Sequence, residues 1–283
     1  MSLIGVGFGE IAEEFSELQC DSRLQSRCVK LLSKWIKQPG VGFPQVLESD
    51  SDLEATYRFF NNPRLNFDML LHPHINETVK RGVQAESDVI CIHDSSTFIF
   101  SSTRKDLGSI NKNNRGFLGH FSLLSTYSRD ETKNPVIPLG VIAASVWKRS
   151  VSEHNSESIE NKSDSIEGDE SSKWMKHIQS VEKQLGTNVR AIHVMDRESD
   201  IYASLSTMMR DGIRFVIRSC WNRSITDGCG KLWETLEGLP VLYQENISIG
   251  SQHACPMPNQ AKAHPSRRKR LASLHVSASL LTI

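Results

Sequence analysis

The sequence lacks the marks of several large classes of protein. It contains no run of about eighteen apolar residues, so no transmembrane helix and no membrane partner are predicted. Lys and Arg total 33, Asp and Glu also total 33, and Gly and Pro are not abundant at 17 and 10. A disordered, collagen-like or coiled-coil chain would show an extreme in charge or in Gly and Pro content. The 283 residues are therefore expected to fold into one large domain or two ordinary ones.

Cysteines are also few, and their spacing excludes a disulfide framework. The six cysteines form no Cys-x-x-Cys pair and no dense cluster. Such cysteines are typical of reduced thiols in a cytosolic protein. The first ten residues have no basic stretch ahead of their short apolar segment, so we expect no secretory signal and a cytoplasmic location.

The zero net charge conceals two segments of opposite sign. Between residues 153 and 170, seven acidic residues stand against a single lysine, Lys162. The residues after Glu245 include no acid and carry the basic run 267–270. Positive charge is thus in excess outside the acidic segment, and the overall balance does not exclude a nucleic-acid partner.

The first seventy residues are predicted to be helical. Leu24, Cys28 and Leu31 recur at helical spacing after Asp21, which is a plausible N-cap. Further helices are predicted over residues 52–60 and from about 66 to 80, with Asn-Asn-Pro between them. We assign residues 1–70 to a helical N-terminal domain.

Beyond residue 80, short apolar runs indicate buried strands. The predicted strands are 88–94, 119–127, 136–146, 189–195 and 213–218, with helices at 173–185 and 199–210. The acidic, Ser-rich segment 150–172 lacks periodicity and is predicted to be a solvated loop. Three strands suited to an antiparallel meander, followed by alternating helices and strands, indicate an α/β fold with a mixed sheet over residues 71–220. Residues 221–283 contain only short strand-like pieces.

Two carboxylates follow apolar runs that are predicted to be strands. Asp94 ends the run 88–94, and Asp196 follows the run 189–195. Open α/β sheets bind ligands at the carboxyl ends of their strands, so these side chains meet if the two strands are neighbours. Close carboxylates repel unless a cation lies between them, and oxygen ligands select Mg²⁺ or Mn²⁺. Such a site suits two-metal phosphodiester chemistry, although an Asp after a strand is also a common turn or cap residue.

A family resemblance rests on several segments taken in chain order. They are 55–63 (Ala-Thr-Tyr-Arg-Phe-Phe-Asn-Asn-Pro), 92–97 (Ile-His-Asp-Ser-Ser-Thr), 107–110 with the following Arg115 and His120, 195–200 (Met-Asp-Arg-Glu-Ser-Asp) and 214–219 (Arg-Phe-Val-Ile-Arg-Ser). Together they resemble the DDE transposases of the Tn-five type, within the IS-four insertion-sequence family. The resemblance extends from about Phe8 to the last residues.

The resemblance implies a fold, a reaction and a set of site residues. The fold is a ribonuclease-H-like mixed sheet preceded by a helical DNA-binding domain. The reaction is cut-and-paste DNA transposition, in which strand ends are hydrolysed and then joined to target DNA. Asp94 and Asp196 would be the first two catalytic and metal-binding acids, holding Mg²⁺ or Mn²⁺. The partner would be double-stranded DNA at insertion-sequence ends, bound by a homodimer in the full-length family. The DNA-binding residues would be Arg27, Arg58, Arg115, His120, Arg214 and Arg218.

The sequence departs from this family at the third acid. The family places that acid in a Tyr-x2-Arg-x3-Glu-x6-Lys pattern, and no such pattern occurs here. Residues 242–249 and 267–274 resemble parts of the β-subdomain that the family inserts before it. We therefore expect a truncated, catalytically impaired transposase. The alternatives are a non-catalytic DNA-binding protein, either a transposition inhibitor or a decayed relic, and a metal-dependent nuclease on the same fold.

Overall fold

The computed structural model divides the chain into two compact units, residues 1–218 and 219–283. It describes residues 13–47, 49–85, 88–101, 103–104, 106–111, 114–127, 136–149, 172–187, 189–226, 230–251 and 266–281. The predicted acidic loop at 150–172 lies outside the described residues except for Ser172, which begins a helix. The N-terminal helices and the large sheet belong to the first unit.

The N-terminal segment is helical, as the apolar spacing predicts. Its helices are α1 (Ser22–Trp35), α2 (Phe43–Val46), α3 (Asp50–Phe60) and α4 (Phe67–Gln84). The side chains of Asp21, Ser49 and Asn66 accept hydrogen bonds from backbone N–H groups in the first turns of α1, α3 and α4. Leu18, Cys28 and Phe59 form the buried core of this segment. The short helix α2 is not predicted by periodicity, because four residues are too few to show a helical period.

A six-stranded mixed sheet forms the centre of the first unit. Its strands are β1 (Asp88–Phe100), β2 (Gly108–Asn111), β3 (Asn114–Tyr127), β4 (Pro138–Trp147), β5 (Ala191–Met195) and β6 (Arg214–Ile217). The strand order is β2-β3-β1-β5-β6, and β4 also pairs with β3. β3 is antiparallel to β1, β2 and β4, whereas β5 runs parallel to both β1 and β6.

Two helices in the second half of the first unit pack on the same face of this sheet as α4. They are α5 (Ser172–Leu185) and α6 (Tyr202–Arg210). Buried residues of α5, such as Val181, pack against Val89 and Cys91 of β1, and a second cluster joins α5 to α6 and β5. We call this the covered face. The opposite side, which carries Ile90, Ile92 and Val216, we call the open face. Val216 there keeps 58% of its surface exposed.

In its described residues, the second unit forms one short helix and a two-stranded sheet. These are α7 (Leu232–Glu237), β7 (Tyr243–Ile249) and β8 (Arg270–Val276). β7 and β8 pair in an antiparallel register from Tyr243 opposite Val276 to Ile249 opposite Arg270. In the described part of the chain, no helix is both long and apolar enough to span a membrane.

The strand boundaries differ from the sequence prediction in one important respect. β1 does not end at residue 94 but continues to Phe100, and β3 begins at Asn114 rather than at residue 119. The two extensions pair with each other, from Ser95 opposite His120 to Phe100 opposite Arg115. The polar residues 95–97 interrupt the apolar pattern, so their strand conformation depends on the partner strand rather than on local sequence.

Candidate functional site

The parallel register of β1 and β5 aligns the chain positions of the two predicted acids. Ile92 pairs with Val194, and two residues further along each strand lie Asp94 and Asp196. Neighbouring strands are about 4.8 Å apart, and residues at the same register in parallel strands point to the same face. Both aspartates are exposed on the open face. The register therefore aligns two chain positions that are 102 residues apart in the sequence.

The prediction that Asp94 ends its strand is wrong. Asp94 lies in the middle of β1, at the level where the parallel partner β5 ends at Met195. Beyond this level β1 keeps only its antiparallel neighbour β3. Asp196 also serves as a cap, because its Oδ1 accepts a hydrogen bond from Glu198 N at 2.9 Å. The positions of both aspartates thus border the place where β5 ends beside β1, which we call the notch.

Arg218 continues the same row on the next strand, whereas Arg214 does not reach it. Ile217 pairs with Met195, so Arg218 follows at the level of Asp196 and is exposed. Arg214 pairs with Ile192 further back, and its guanidinium donates to the carbonyl of Arg190. Of these two predicted DNA ligands, only Arg218 lies beside the aspartates.

The other predicted residues of the sheet lie away from the aspartates. Arg115 pairs with Phe100, six residues along β1 from Asp94, which corresponds to about 20 Å of strand. His120 is fully buried on the covered face, against the ring of Trp174. The prediction that His120 contacts DNA is therefore corrected, because a side chain without exposed surface cannot reach a duplex.

A row of cations on α1 forms a second candidate site in the N-terminal segment. Arg23, Arg27, Lys30 and Lys34 follow one another at spacings of four, three and four residues, so they share one helix face. We call these four residues the cationic stripe. Cys28 and Leu31, which flank the stripe on α1, are buried. Arg23 and Lys30 are exposed, whereas Arg27 and Lys34 are half-buried where α1 meets α3.

One carboxylate on α3 contacts most of the stripe. Asp52 lies 3.0 Å from both Arg27 and Lys30 and 3.2 Å from Lys34. Hydrogen bonds from Lys30, and then from Arg27 and Lys34, hold the pKa of Asp52 well below its usual range. A single negative charge does not neutralise the stripe, so this surface keeps a positive excess.

Arg58 projects from the same small domain. It lies on α3, its side chain is 75% exposed, and its nearest charged partner is Glu54 one turn earlier. An exposed pair of this kind contributes little to stability, so Arg58 exchanges partners readily. Of the residues predicted to bind DNA, Arg27 and Arg58 both lie in this helical segment.

A buried group of histidines is a feature that the sequence reasoning missed. His93, His177 and His193 lie with His120 on the covered face. Burial lowers the pKa of His93 to about 2, of His120 to about 3 and of His177 to about 4, and like-charge repulsion adds to the effect at His93 and His120. The sequence did contain a signal for their burial, because His93 and His193 alternate with the outward-facing residues of two apolar strands. Only the fold shows that these positions meet.

Comparison with known families identifies the N-terminal segment. Residues 11–65 match the family model described as transposase DNA-binding. The match includes α1, α2 and α3, and with them the cationic stripe and Arg58. The chain therefore has an N-terminal helical DNA-binding domain followed by a mixed α/β unit, and DNA is its partner. This match supports a DNA-binding transposase.

Proposed function

We propose that the chain is part of a DDE transposase of the Tn-five type, in the IS-four insertion-sequence family, and that Asp94 and Asp196 are its first two metal ligands. The observation that carries this proposal is the β1–β5 register, which would put Asp94 level with Asp196 when it is continued by two residues beyond Ile92 and Val194. The sheet order supports a ribonuclease-H-like assignment. In the row β4-β3-β1-β5-β6, β3 is antiparallel to both of its neighbours β4 and β1, and the last two strands run parallel to β1.

The donor set suits a hard divalent cation. Two exposed carboxylates on adjacent strands offer oxygen ligands, which favour Mg²⁺ or Mn²⁺ over zinc. When bound, such ions activate the attacking oxygen and stabilise the leaving oxygen of a phosphodiester. Asp94 and Asp196 would hold the ions, and Arg218 beside them would contact a DNA phosphate.

The 283 residues lack the family's third acid, which limits the activity expected of them. With two protein carboxylates, the remaining coordination must come from water or DNA oxygens, and the cation is held weakly. We expect this chain to bind DNA and to cleave it poorly. A Mg²⁺-dependent cleavage by this chain that Asp94→Ala abolishes would contradict this expectation.

The DNA-binding half of the proposal rests on the cationic stripe and Arg58. Phosphate contacts release counterions, so affinity for a duplex falls steeply as salt is raised. The test is the fluorescence anisotropy of a labelled mixed-sequence duplex, titrated with the full chain at several KCl concentrations. Lys30→Ala and Arg58→Ala should each weaken binding, while Lys183→Ala on α5 should not. Equal affinities for all these proteins would overturn the assignment of this surface.

The metal-binding half is tested by titrating the chain with Mn²⁺ and measuring free Mn²⁺ by electron paramagnetic resonance. Asp94→Asn and Asp196→Asn should each reduce the bound fraction. Asp68→Asn is the matched control, because Asp68 is exposed at the start of α4, outside the notch. Equal binding by all three variants would exclude the aspartate pair as the site.

A second candidate function follows from the DNA-binding match of residues 11–65 taken alone. A protein that binds insertion-sequence ends without cutting them would act as a transposition inhibitor, or persist as a relic. It would show salt-sensitive DNA binding that Asp94→Asn and Asp196→Asn leave unchanged, with no cleavage in Mg²⁺ or Mn²⁺. Metal-dependent cutting without preference for element ends would instead indicate a nuclease.

A further inference from the structure

The covered face of the sheet holds three histidines whose ring nitrogens converge. His93 comes from β1, His120 from β3 and His177 from α5, and all three are buried. One nitrogen of each ring lies within 4.8 Å of one nitrogen of each of the others. We call these three residues the histidine cluster. It lies behind the sheet from Asp94, because His93 and Asp94 are consecutive and point to opposite faces.

Each ring of the cluster has an outer partner for one of its nitrogens. His93 Nε2 lies 2.8 Å from His193 Nδ1, and His193 Nε2 lies 2.9 Å from Glu182 Oε1. His177 Nε2 lies 2.9 Å from Ser145 Oγ, and His120 Nδ1 lies 2.8 Å from Ser95 Oγ. These outer contacts leave three nitrogens for other partners: His93 Nδ1, His177 Nδ1 and His120 Nε2.

The tautomer of His93 follows from the carboxylate at the end of its chain of contacts. Glu182 only accepts, so His193 donates through Nε2 and accepts at Nδ1 from His93 Nε2–H. His93 Nδ1 therefore carries a lone pair directed away from His193. A histidine that binds a metal usually donates its other ring N–H to an acceptor that fixes its orientation. For His93 that acceptor is His193, which is held in turn by Glu182.

Two of the remaining nitrogens contact one hydroxyl, and the third has no hydrogen-bond partner among the described residues. Ser122 Oγ lies 2.9 Å from His93 Nδ1 and 2.8 Å from His177 Nδ1. His120 Nε2 is fully buried and has no hydrogen-bond partner among the described residues. A buried polar atom without a partner is unfavourable, and native structures rarely keep one unless something binds it.

We propose that the histidine cluster binds a zinc-class divalent ion through His93 Nδ1, His120 Nε2 and His177 Nδ1, with the Ser122 hydroxyl or a water as fourth ligand. Three imidazoles without a carboxylate favour Zn²⁺ over Mg²⁺. Tetrahedral zinc with bonds of about 2.0–2.1 Å places its ligand atoms about 3.3 Å apart, and the cluster nitrogens already lie within 4.8 Å of one another. His177 then donates through Nε2 to Ser145.

Without an ion, the same contacts form a chain of hydrogen bonds that run in one direction, and one ring nitrogen stays without a partner. Ser145 would donate to His177, His177 to Ser122 and Ser122 to His93, which continues through His193 to Glu182. Every member of that chain is satisfied, but His120 Nε2 is not. An ion satisfies His120 as well, which is the physical reason for preferring it.

A competing group of possible ligands is less suitable. Cys91, His93 and His193 also lie close together and are buried. Binding there would break the hydrogen bond between His93 Nε2 and His193 Nδ1. Burial also raises the pKa of the Cys91 thiol, whereas zinc binds the thiolate. The nitrogens around Ser122 are therefore the better donor set.

An ion at the cluster would join β1, β3 and α5 on the covered face. It would stabilise the folded state, because metal that binds only the folded chain shifts unfolding by mass action. This site is separate from the aspartate pair in position, donor type and metal preference. Its failure would therefore leave the proposed transposase function untouched, and the reverse also holds.

The test is metal binding by the whole chain. The protein is unfolded in chelator, refolded with Zn²⁺ or Co²⁺ and freed of excess metal by gel filtration. We expect about one Zn²⁺ per chain by elemental analysis and, with Co²⁺, the visible absorption of a tetrahedral site. The melting temperature should be higher than that of the metal-free protein kept in chelator. The wild-type result alone is decisive, because retention of neither metal would overturn the proposal.

Variants assign the ion to its ligands. His120→Gln and His177→Gln should lose the Co²⁺ absorption, with circular dichroism checking that each is folded. His72→Gln, at an exposed position on α4, and the Asp94→Asn/Asp196→Asn double variant should keep it. Tetrahedral Co²⁺ that persists in folded His120→Gln, or disappears in the double aspartate variant, would place the metal elsewhere.

Discussion

His93 and Asp94 are neighbours in the chain and have opposite surroundings. His93 faces α5 and is 2% exposed, whereas Asp94 points to the open face and is exposed. Along β1 the covered side carries Val89 and Cys91, and burial there selects apolar or neutral groups. The two faces therefore collect different chemistry: nitrogen donors kept neutral by burial on one, and charged oxygen donors on the other. One strand can serve two sites because its side chains alternate.

The largest difference between the faces should appear in acid. Burial holds the folded-state pKa values of His93, His120 and His177 at about 2, 3 and 4, below 6.5 in the unfolded chain. The unfolded state then binds protons first, so stability is full above pH 6.5 and falls as pH drops toward 4 and below. Each histidine contributes about 1.4 kcal/mol per pH unit. Urea unfolding with chelator present, between pH 7 and pH 4.5, measures this loss.

The control for that experiment is His177→Gln, which should flatten the slope over the same window. The pKa of Asp52 is also lowered in the folded state. Its contribution to stability is lost only below the pH at which carboxyl groups usually titrate, so it does not affect the slope between pH 7 and pH 4.5. Stability that stays constant from pH 7 to pH 4.5 would contradict burial of neutral histidines.

A smaller loss is expected when an apolar residue is truncated on the covered face. Ile178 is fully buried in the cluster that joins α5 to α6 and β5. Ile178→Ala should lower the free energy of unfolding by about 2–5 kcal/mol, because it removes buried methyl groups and leaves a cavity. Val216→Ala on the open face is the matched control and should cost less than about 0.5 kcal/mol. Equal losses in urea titrations would show that both faces are covered.

The cationic stripe offers a comparison in DNA affinity rather than stability. Asp52→Asn removes the carboxylate that contacts Arg27, Lys30 and Lys34. DNA binding should become tighter and its salt dependence steeper by about one unit of log K against log salt, since about one more phosphate contact forms. Anisotropy titrations over a range of KCl measure the slope. Weaker binding by folded Asp52→Asn would mean that Asp52 orients the stripe for DNA.

The smallest effect is expected at Asp94 itself. Asp94→Asn should change the free energy of unfolding by less than about 0.5 kcal/mol, because the side chain is exposed. His93→Gln, one residue earlier, should destabilise the chain, since a buried hydrogen-bonded ring is lost. Thermal unfolding of the two variants side by side gives the contrast. Similar melting temperatures would remove the distinction between the faces.

Much of the fold could be predicted from local pattern. Periodic apolar spacing predicted α1, α3, α4 and α5, and apolar runs predicted the central strands. The extension of β1 to Phe100 and the strand β2 could not be predicted, because their residues become strands only through pairing with β3. The prediction of DNA contact for His120 was wrong because the face of a residue depends on which helix packs against its strand.

The sequence by itself determined which residue types are available and where they alternate along each element. It placed an acid after each of two apolar runs and cations at helical spacing on α1, because side-chain periodicity is a local property. Only the tertiary structure decided which of these residues meet. The parallel pairing of β1 with β5 aligned the chain positions of Asp94 and Asp196, and the packing of α5 on the opposite face buried the histidines. Contacts between residues a hundred positions apart depend on which strands become neighbours, and strand order is a property of the whole fold.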